Sequence, residues 1–168
     1  MKTSALFLAI ALVLPVLSVA QDVEQMGSWY YRASLDPITD VNSSDAFTVD
    51  DDEKWIMGVH CKDGGYGVAI LTHPTSLNGS LLRLEILLET WKRTMTWRID
   101  QTEPVIQNWL GIESGLTIQN KGAATFVEAL MLAKNRIVMR FGHSTKTYTV
   151  ILTADGAAEA IEALNNCN

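Results

Sequence analysis

Apolar residues recur at every second position along several stretches of this chain, and that period most constrains the fold. Trp55, Met57, Val59 and Cys61 follow it, and a period of two places such residues on one face of a β-strand. The Asp-Gly-Gly sequence at 63–65 is a strong hairpin signal. Residues 66–72 are therefore predicted to return as the partner strand.

Similar patterns predict further strands at 29–33, 46–49, 82–89, 94–100, 115–119, 136–141 and 148–152, with a short strand or loop around Trp109. The period changes at 122–135, which favours a helix, and an Ala-rich stretch ending at Asn166 predicts a second one. The polar residues 21–27 are predicted to form a loose N-terminus. Together these patterns predict an α+β fold: a β-rich antiparallel sheet or sandwich with two helices toward the C-terminus. Residues 21–168 are expected to form a single globular domain.

The first 20 residues have the features of a secretory signal peptide. Lys2 precedes ten consecutive apolar residues, Ala5 to Leu14, and small residues stand at Ser18 and Ala20 before the expected cleavage point. The alternative is a membrane helix, but the apolar stretch is short for a span and no basic residues follow it. We therefore expect residues 1–20 to be removed, leaving a periplasmic or secreted protein that does not span the membrane.

Cys61 and Cys167 are the two cysteines of the chain. Disulfides form and persist in exported proteins, so an intramolecular bond is the leading interpretation. On the chain-entropy model such a long loop contributes about 4–5 kcal/mol. Two free thiols or an intermolecular bond are the alternatives.

Composition and motifs argue against several classes of function. The chain has 13 basic and 19 acidic residues, and this acidic balance argues against a nucleic-acid partner. His60, His73 and His143 show no metal-ligand spacing and are interpreted as surface or strand-edge residues. No local motif for a serine or cysteine nucleophile is present, so we predict no catalytic residues and no cofactor.

The acidic stretch at 40–51 resembles part of a calcium-binding loop. Asp40, Asn42 and Ser44 occupy positions 1, 3 and 5 of the EF-hand pattern, and Asp51 occupies position 12. Position 6, however, is Asp45 instead of glycine, and the flanking segments are predicted to be strands. A weak cation site and a solvated acidic turn are both consistent with this pattern.

Four residues are candidates for a binding surface. Trp91 stands beside Lys92, and an exposed aromatic with basic neighbours suits a protein contact or a stacked sugar. Trp109 is a second aromatic candidate. Arg98 and Asp100 are two residues apart on one predicted strand, so they are expected on one face, either as a structural ion pair or facing a ligand.

Several of these features resemble the VasI-like proteins associated with bacterial type VI secretion. The resemblance rests on Trp29, the Asp-rich segment 36–40, Cys61, the Arg-Ile-Asp strand at 98–100, and Trp109 followed by Ser114. It extends to the closing segment from Gly156 to Cys167. The chain departs from the pattern at Ala154 and Asp155, where Ser-Gly is more typical. The resemblance implies a periplasmic accessory or effector-linked protein of a Gram-negative bacterium, without established catalytic residues.

These observations lead to one functional prediction and two alternatives. We expect an exported, non-catalytic binding or accessory protein with a protein partner in the cell envelope, associated with type VI secretion. The alternatives are a cell-envelope hydrolase and an enzyme-inhibitor or carbohydrate-binding module that uses Trp91.

Overall fold

A computed structural model of the chain describes residues 23–62, 64–72, 91–112, 114–143, 145–164 and 167. These residues form ten strands and two helices. In chain order they are β1 (Val23–Met26), β2 (Trp29–Arg32), β3 (Asp45–Val49), β4 (Trp55–Lys62), β5 (Gly65–Thr72), β6 (Trp91–Ile99), β7 (Val105–Ile112), β8 (Gly115–Gln119), α1 (Asn120–Met131), β9 (Arg136–His143), β10 (Lys146–Thr153) and α2 (Ala157–Glu162). The signal peptide predicted at 1–20 and the strand predicted at 82–89 lie outside the described residues.

All ten strands form one antiparallel sheet in the order β1-β2-β3-β4-β5-β8-β7-β6-β9-β10. The first five strands form a meander, and β8 to β6 run back from β5 so that β9 pairs with β6. The predicted hairpin is confirmed, since Lys62 pairs with Gly65 where β4 turns into β5. The predicted fold class is also confirmed: a β-rich antiparallel sheet with two short helices toward the C-terminus.

The sheet folds back so that strands from its two ends share one core. Trp55 of β4 meets the ring of Phe141 in β9 at 5.0 Å and that of Tyr148 in β10 at 4.9 Å, both edge-on. Four strands separate β4 from β9 in the sheet order, so only a strongly curved sheet brings these rings together. The Trp29 indole Nε1 also donates to the backbone oxygen of Thr153, at 3.1 Å.

The two helices close this core. Helix α1 buries Phe126 edge-on against Trp97 of β6 at 5.0 Å and Trp109 of β7 at 5.8 Å. Helix α2 begins after Gly156, whose φ of 84° lies in the left-handed region. A Cβ at this position would lie 1.6 Å from the Met26 backbone oxygen, so the tight approach of α2 to β1 requires glycine. None of the described helices has the length and apolar content to cross a membrane.

Some predicted boundaries were wrong. The loose N-terminus predicted at 21–27 contains strand β1, whose polar residues are compatible with an edge strand exposed to water. The helix predicted at 122–135 runs from Asn120 to Met131, and the final helix ends at Glu162 instead of Asn166. The last turn tightens there, with Leu164 N donating to Ile161 O at 3.1 Å. The segment around Trp109 is a full eight-residue strand.

Candidate binding surfaces

The disulfide between Cys61 and Cys167 is present, which confirms the intramolecular pairing. It closes a sequence separation of 106 residues and joins β4 to the end of the chain beyond α2. Both cysteines are buried. The bond therefore holds the C-terminal segment on the first half of the sheet.

The β2–β3 loop, residues 33–44, is held in one conformation by its own hydrogen bonds. Asp36 Oδ1 accepts from the backbone N–H of Ile38 at 2.8 Å and of Thr39 at 3.0 Å. These bonds lower the pKa of the Asp36 carboxyl. Asp36 N also donates to Val41 O at 3.0 Å, and Asp40 N donates to Asp36 O at 2.9 Å. The tip of this loop is consequently a hydrogen-bonded turn instead of an extended loop.

The base of the β2–β3 loop is tied to the rest of the molecule. Ser44 Oγ accepts from Ser34 N at 3.0 Å, and Asn42 Oδ1 accepts from Ser44 N at 2.9 Å. Asn42 Nδ2 donates to the backbone oxygen of Leu164 at 3.1 Å. A single asparagine therefore links the loop to the residues that follow α2.

The residues of the calcium-loop pattern at 40–51 are not arranged as one loop in the structure. The side-chain oxygens of Asn42 and Ser44 already accept backbone N–H groups, and Asp40 is an exposed residue with φ of 55°. Asp51 lies in the turn between β3 and β4, at the other end of β3 from Asp40. Within the described residues, no three His, Cys, Asp or Glu side chains come together as metal ligands.

Asp45, which would occupy position 6 of that pattern, forms a buried ion pair. Arg32 Nε donates to its Oδ1 at 3.0 Å, and Arg32 Nη2 contacts its Oδ2. Burial raises the pKa of the Asp45 carboxyl, and the Arg32 guanidinium opposes that rise. The two residues lie on different strands, so the pair has no local signature in the sequence.

Large apolar side chains project into solvent from the closed β2–β3 loop. Leu35, Ile38 and Val41 are 63%, 89% and 55% exposed. Asp36 and Asp40 lie between them and are exposed as well. The loop thus presents an apolar tip interspersed with carboxylates, and no periodic pattern in the sequence predicts it.

The four predicted binding residues are not gathered in one site. Trp109 is fully buried and its Nε1 donates to Gln107 Oε1 at 3.4 Å, so the ring belongs to the core and is not open to a surface ligand. Trp91 begins β6, and its side chain lies outside what the structure describes.

Asp100 serves a structural role, although not the predicted pairing with Arg98. Its carboxylate oxygens accept from the backbone N–H groups of Lys134, Asn135 and Arg136 at 2.8, 2.8 and 3.0 Å. These bonds lower the pKa of Asp100. Arg98 does not pair with Asp100; the ion pairs that join two described residues are Arg32–Asp45 and Lys54–Asp52.

His60 is not the exposed residue that the sequence indicated. It pairs with Gly67 of β5, and a Cβ on that glycine would lie 2.3 Å from His60 Nε2, so the imidazole lies over the neighbouring strand. Its Nδ1 is buried without a hydrogen-bond partner. Burial, and to a lesser extent the charge of Lys62, lowers the pKa of His60 from 6.5 to about 4. His73 lies outside the described residues, as does the side chain of His143.

Comparison with known proteins shows a similar fold but no family. No protein-family model matches the chain, and no curated protein matches it. The crystal structure of invasion associated protein B from Bartonella henselae matches with a TM-score of 0.51 and 14% sequence identity. The match covers 85% of this chain and 94% of that protein. At this identity the likeness concerns the fold alone.

Proposed function

We propose that the protein is an exported, non-catalytic binding protein of the cell envelope, and that the β2–β3 loop contacts its protein partner. The disulfide supports export, because such bonds persist in oxidising compartments. The features of the first 20 residues point the same way. A fold similar to that of a protein named for its association with invasion fits a role outside the cytoplasm.

The observation that carries the binding role is the exposure of Leu35, Ile38 and Val41 on a closed loop. Exposed apolar side chains on a preorganised segment gain binding energy by desolvation and lose little conformational entropy on association. The hydrogen bonds of Asp36 and Asn42 supply that preorganisation.

The chemistry of the loop tip indicates the kind of partner. Ile38, the most exposed of the large apolar residues that the structure describes, would fill an apolar cleft. Asp36 and Asp40 on either side favour a cleft with a basic rim. A component of a type VI secretion system is the specific partner that the sequence resemblance proposes.

Site-specific photo-crosslinking in the envelope of the source cell tests this proposal. A photoreactive residue at Ile38 should give one discrete crosslinked protein. The same residue at Leu132 should not, although Leu132 is 79% exposed and equally apolar. A secretion-system component in the crosslink would support the specific proposal, and another envelope protein would support the general one.

The variant Leu35→Ser/Ile38→Ser serves as the matched test of affinity. Placed in the protein with a photoreactive residue at Val41, the two changes should reduce the crosslinked product at least tenfold. Identical crosslinking from Ile38 and Leu132, or none from Ile38, would contradict the role of the loop.

A further inference from the structure

The outward face of strands β7, β6, β9 and β10 carries a charge opposite to that of the chain as a whole. Met95, Trp97 and Ile99 of β6 are buried, so the alternate residues of that strand point away from the core. The same alternation applies to β9, where Ile137 and Met139 are buried. We call this surface the arginine face. Within these four strands its outward positions hold basic residues and no acidic ones.

Three arginines are brought together here by strand pairing. Arg98 of β6 lies opposite Val138 of β9, and Arg136 and Arg140 stand two residues to either side of Val138. Such diagonal neighbours are about 7–8 Å apart. Arg140 Nε donates to Thr149 Oγ1 of β10 at 3.2 Å, which orients one guanidinium along the face.

No carboxylate neutralises this cluster in the described part of the chain. The ion pairs that join two described residues involve Arg32 and Lys54, not the three arginines of the cluster. Asp100, at the end of β6, directs both carboxylate oxygens to backbone N–H groups. Like charges repel each other, and no described carboxylate offsets this repulsion, so the cluster is not explained by the stability of the fold.

The arginine face also exposes large apolar residues. Ile106 of β7 is 70% exposed and lies opposite Thr96, which in turn lies opposite Arg140. Ile151 of β10 is 49% exposed and lies opposite Val138, in the same row as Arg98. Apolar side chains therefore lie on both sides of the cationic cluster.

We propose that the arginine face binds the surface of a membrane that contains anionic phospholipids, as a peripheral contact. Guanidinium groups donate two parallel hydrogen bonds to phosphate oxygens, and three of them lie on the same outward face of the paired strands β6 and β9. Ile106 and Ile151 insert between headgroups, since interfacial binding combines apolar burial with attraction to anionic lipid. An outward-facing surface with short threonines beside its arginines fits an extended layer of phosphates better than a single buried ligand.

This contact is independent of the partner proposed for the β2–β3 loop, because it uses different strands and the opposite charge. A protein held on the membrane by its arginine face would still have the loop available. The two proposals can therefore fail separately.

Sedimentation with lipid vesicles tests the inference on the exported, disulfide-bonded chain. We expect binding to vesicles of phosphatidylglycerol and phosphatidylcholine at low salt, and none to phosphatidylcholine alone. Removing three basic residues near an anionic surface, as in Arg98→Gln/Arg136→Gln/Arg140→Gln, should weaken binding about 100-fold. Ile106→Ser/Ile151→Ser should weaken it roughly tenfold.

Two further variants separate the face from net charge and from folding. Lys54→Gln/Lys62→Gln/Lys121→Gln removes the same charge elsewhere and should change binding less than threefold. Arg98→Lys/Arg136→Lys/Arg140→Lys keeps the charge but loses the paired guanidinium donors, so its binding should lie between that of the unaltered protein and that of the glutamine variant. A glutamine variant with the same thermal unfolding midpoint as the unaltered protein excludes unfolding as the cause of its loss of binding. Leu35→Ser/Ile38→Ser should bind vesicles like the unaltered protein.

Several results would overturn the inference. Equal binding to both kinds of vesicle would show that anionic phosphate is not recognised. Equal losses in the arginine and control lysine variants would show that overall charge is responsible. Displacement from vesicles by inorganic phosphate at about 10 mM, but not by chloride at equal ionic strength, would indicate a site for the free anion instead of a membrane contact.

Discussion

The two halves of the sheet differ in charge, and the net charge of the whole chain does not reveal this difference. Residues 23–72, which contain β1 to β5, have nine acidic and three basic residues. Residues 91–153, which contain β6 to β10, have four acidic and eight basic residues. The formal charge of -6 is thus a sum over opposed regions, and each surface attracts partners according to its own sign.

The halves also differ in what stabilises their interiors. In the first half, the Asp45 side chain and the Nδ1 atom of His60 are buried polar groups. The disulfide also joins β4 to the C-terminal segment. In the second half, Trp97 and Trp109 pack on Phe126 of α1. A change of redox state or pH should therefore act mainly on the first half.

Among the changes that test this difference between the two halves, removal of the disulfide should reduce the stability of the protein most. For a closed loop of 106 residues the chain-entropy model predicts a loss of about 4–5 kcal/mol in the free energy of unfolding. Urea denaturation of Cys61→Ser/Cys167→Ser measures it, with the reduced unaltered protein as the control. A loss below about 1 kcal/mol would mean that packing alone holds the C-terminal segment on the first half.

Acidification should have the next largest effect, through His60. Its pKa is about 4 in the folded protein and 6.5 in the unfolded chain, so the unfolded state takes up a proton first as the pH falls. The free energy of unfolding is therefore not reduced by His60 above pH 6.5, and it decreases as the pH falls toward 4. The difference between the two pKa values of His60 corresponds to a loss of at most about 3 kcal/mol in the free energy of unfolding.

Urea denaturation between pH 7 and pH 4.5 measures that loss. His60→Leu should remove most of the dependence in this range, and Lys62→Gln, which removes the lesser cause of the shift, should change it only slightly. An unchanged pH profile in His60→Leu would place the acid sensitivity elsewhere in the molecule.

The smallest loss of stability should come from removing the hydrogen bonds that attach the β2–β3 loop. Asn42→Ala removes the hydrogen bonds to Ser44 and to Leu164, which should cost about 1–2 kcal/mol. Asn108→Ala, at an exposed position of β7, is the matched control and should cost less than about 0.5 kcal/mol. Faster amide exchange confined to residues 33–44 would show that Asn42 preorganises the loop, and equal losses in both variants would refute that role.

Local patterns were sufficient for most strands because period-two alternation and Gly-rich turns act over a few residues. The pairing of β4 with β5 is the clearest case. Strand β1 was missed because none of its four residues is buried, so its sequence carries no alternation to detect. The extent of α2 was also missed, since the bonds that end it involve Leu164 and a side chain distant in sequence, Asn42.

By itself, the sequence determined the α+β class, because alternation is a local property, and it limited the two cysteines to one possible intramolecular bond. Only the tertiary structure decided which side chains are available for binding. It placed Trp109 in the core, turned Leu35 and Ile38 outward, and brought Arg98 next to Arg136 and Arg140 across paired strands. Burial and proximity depend on contacts between residues far apart in the chain, and no local pattern records them.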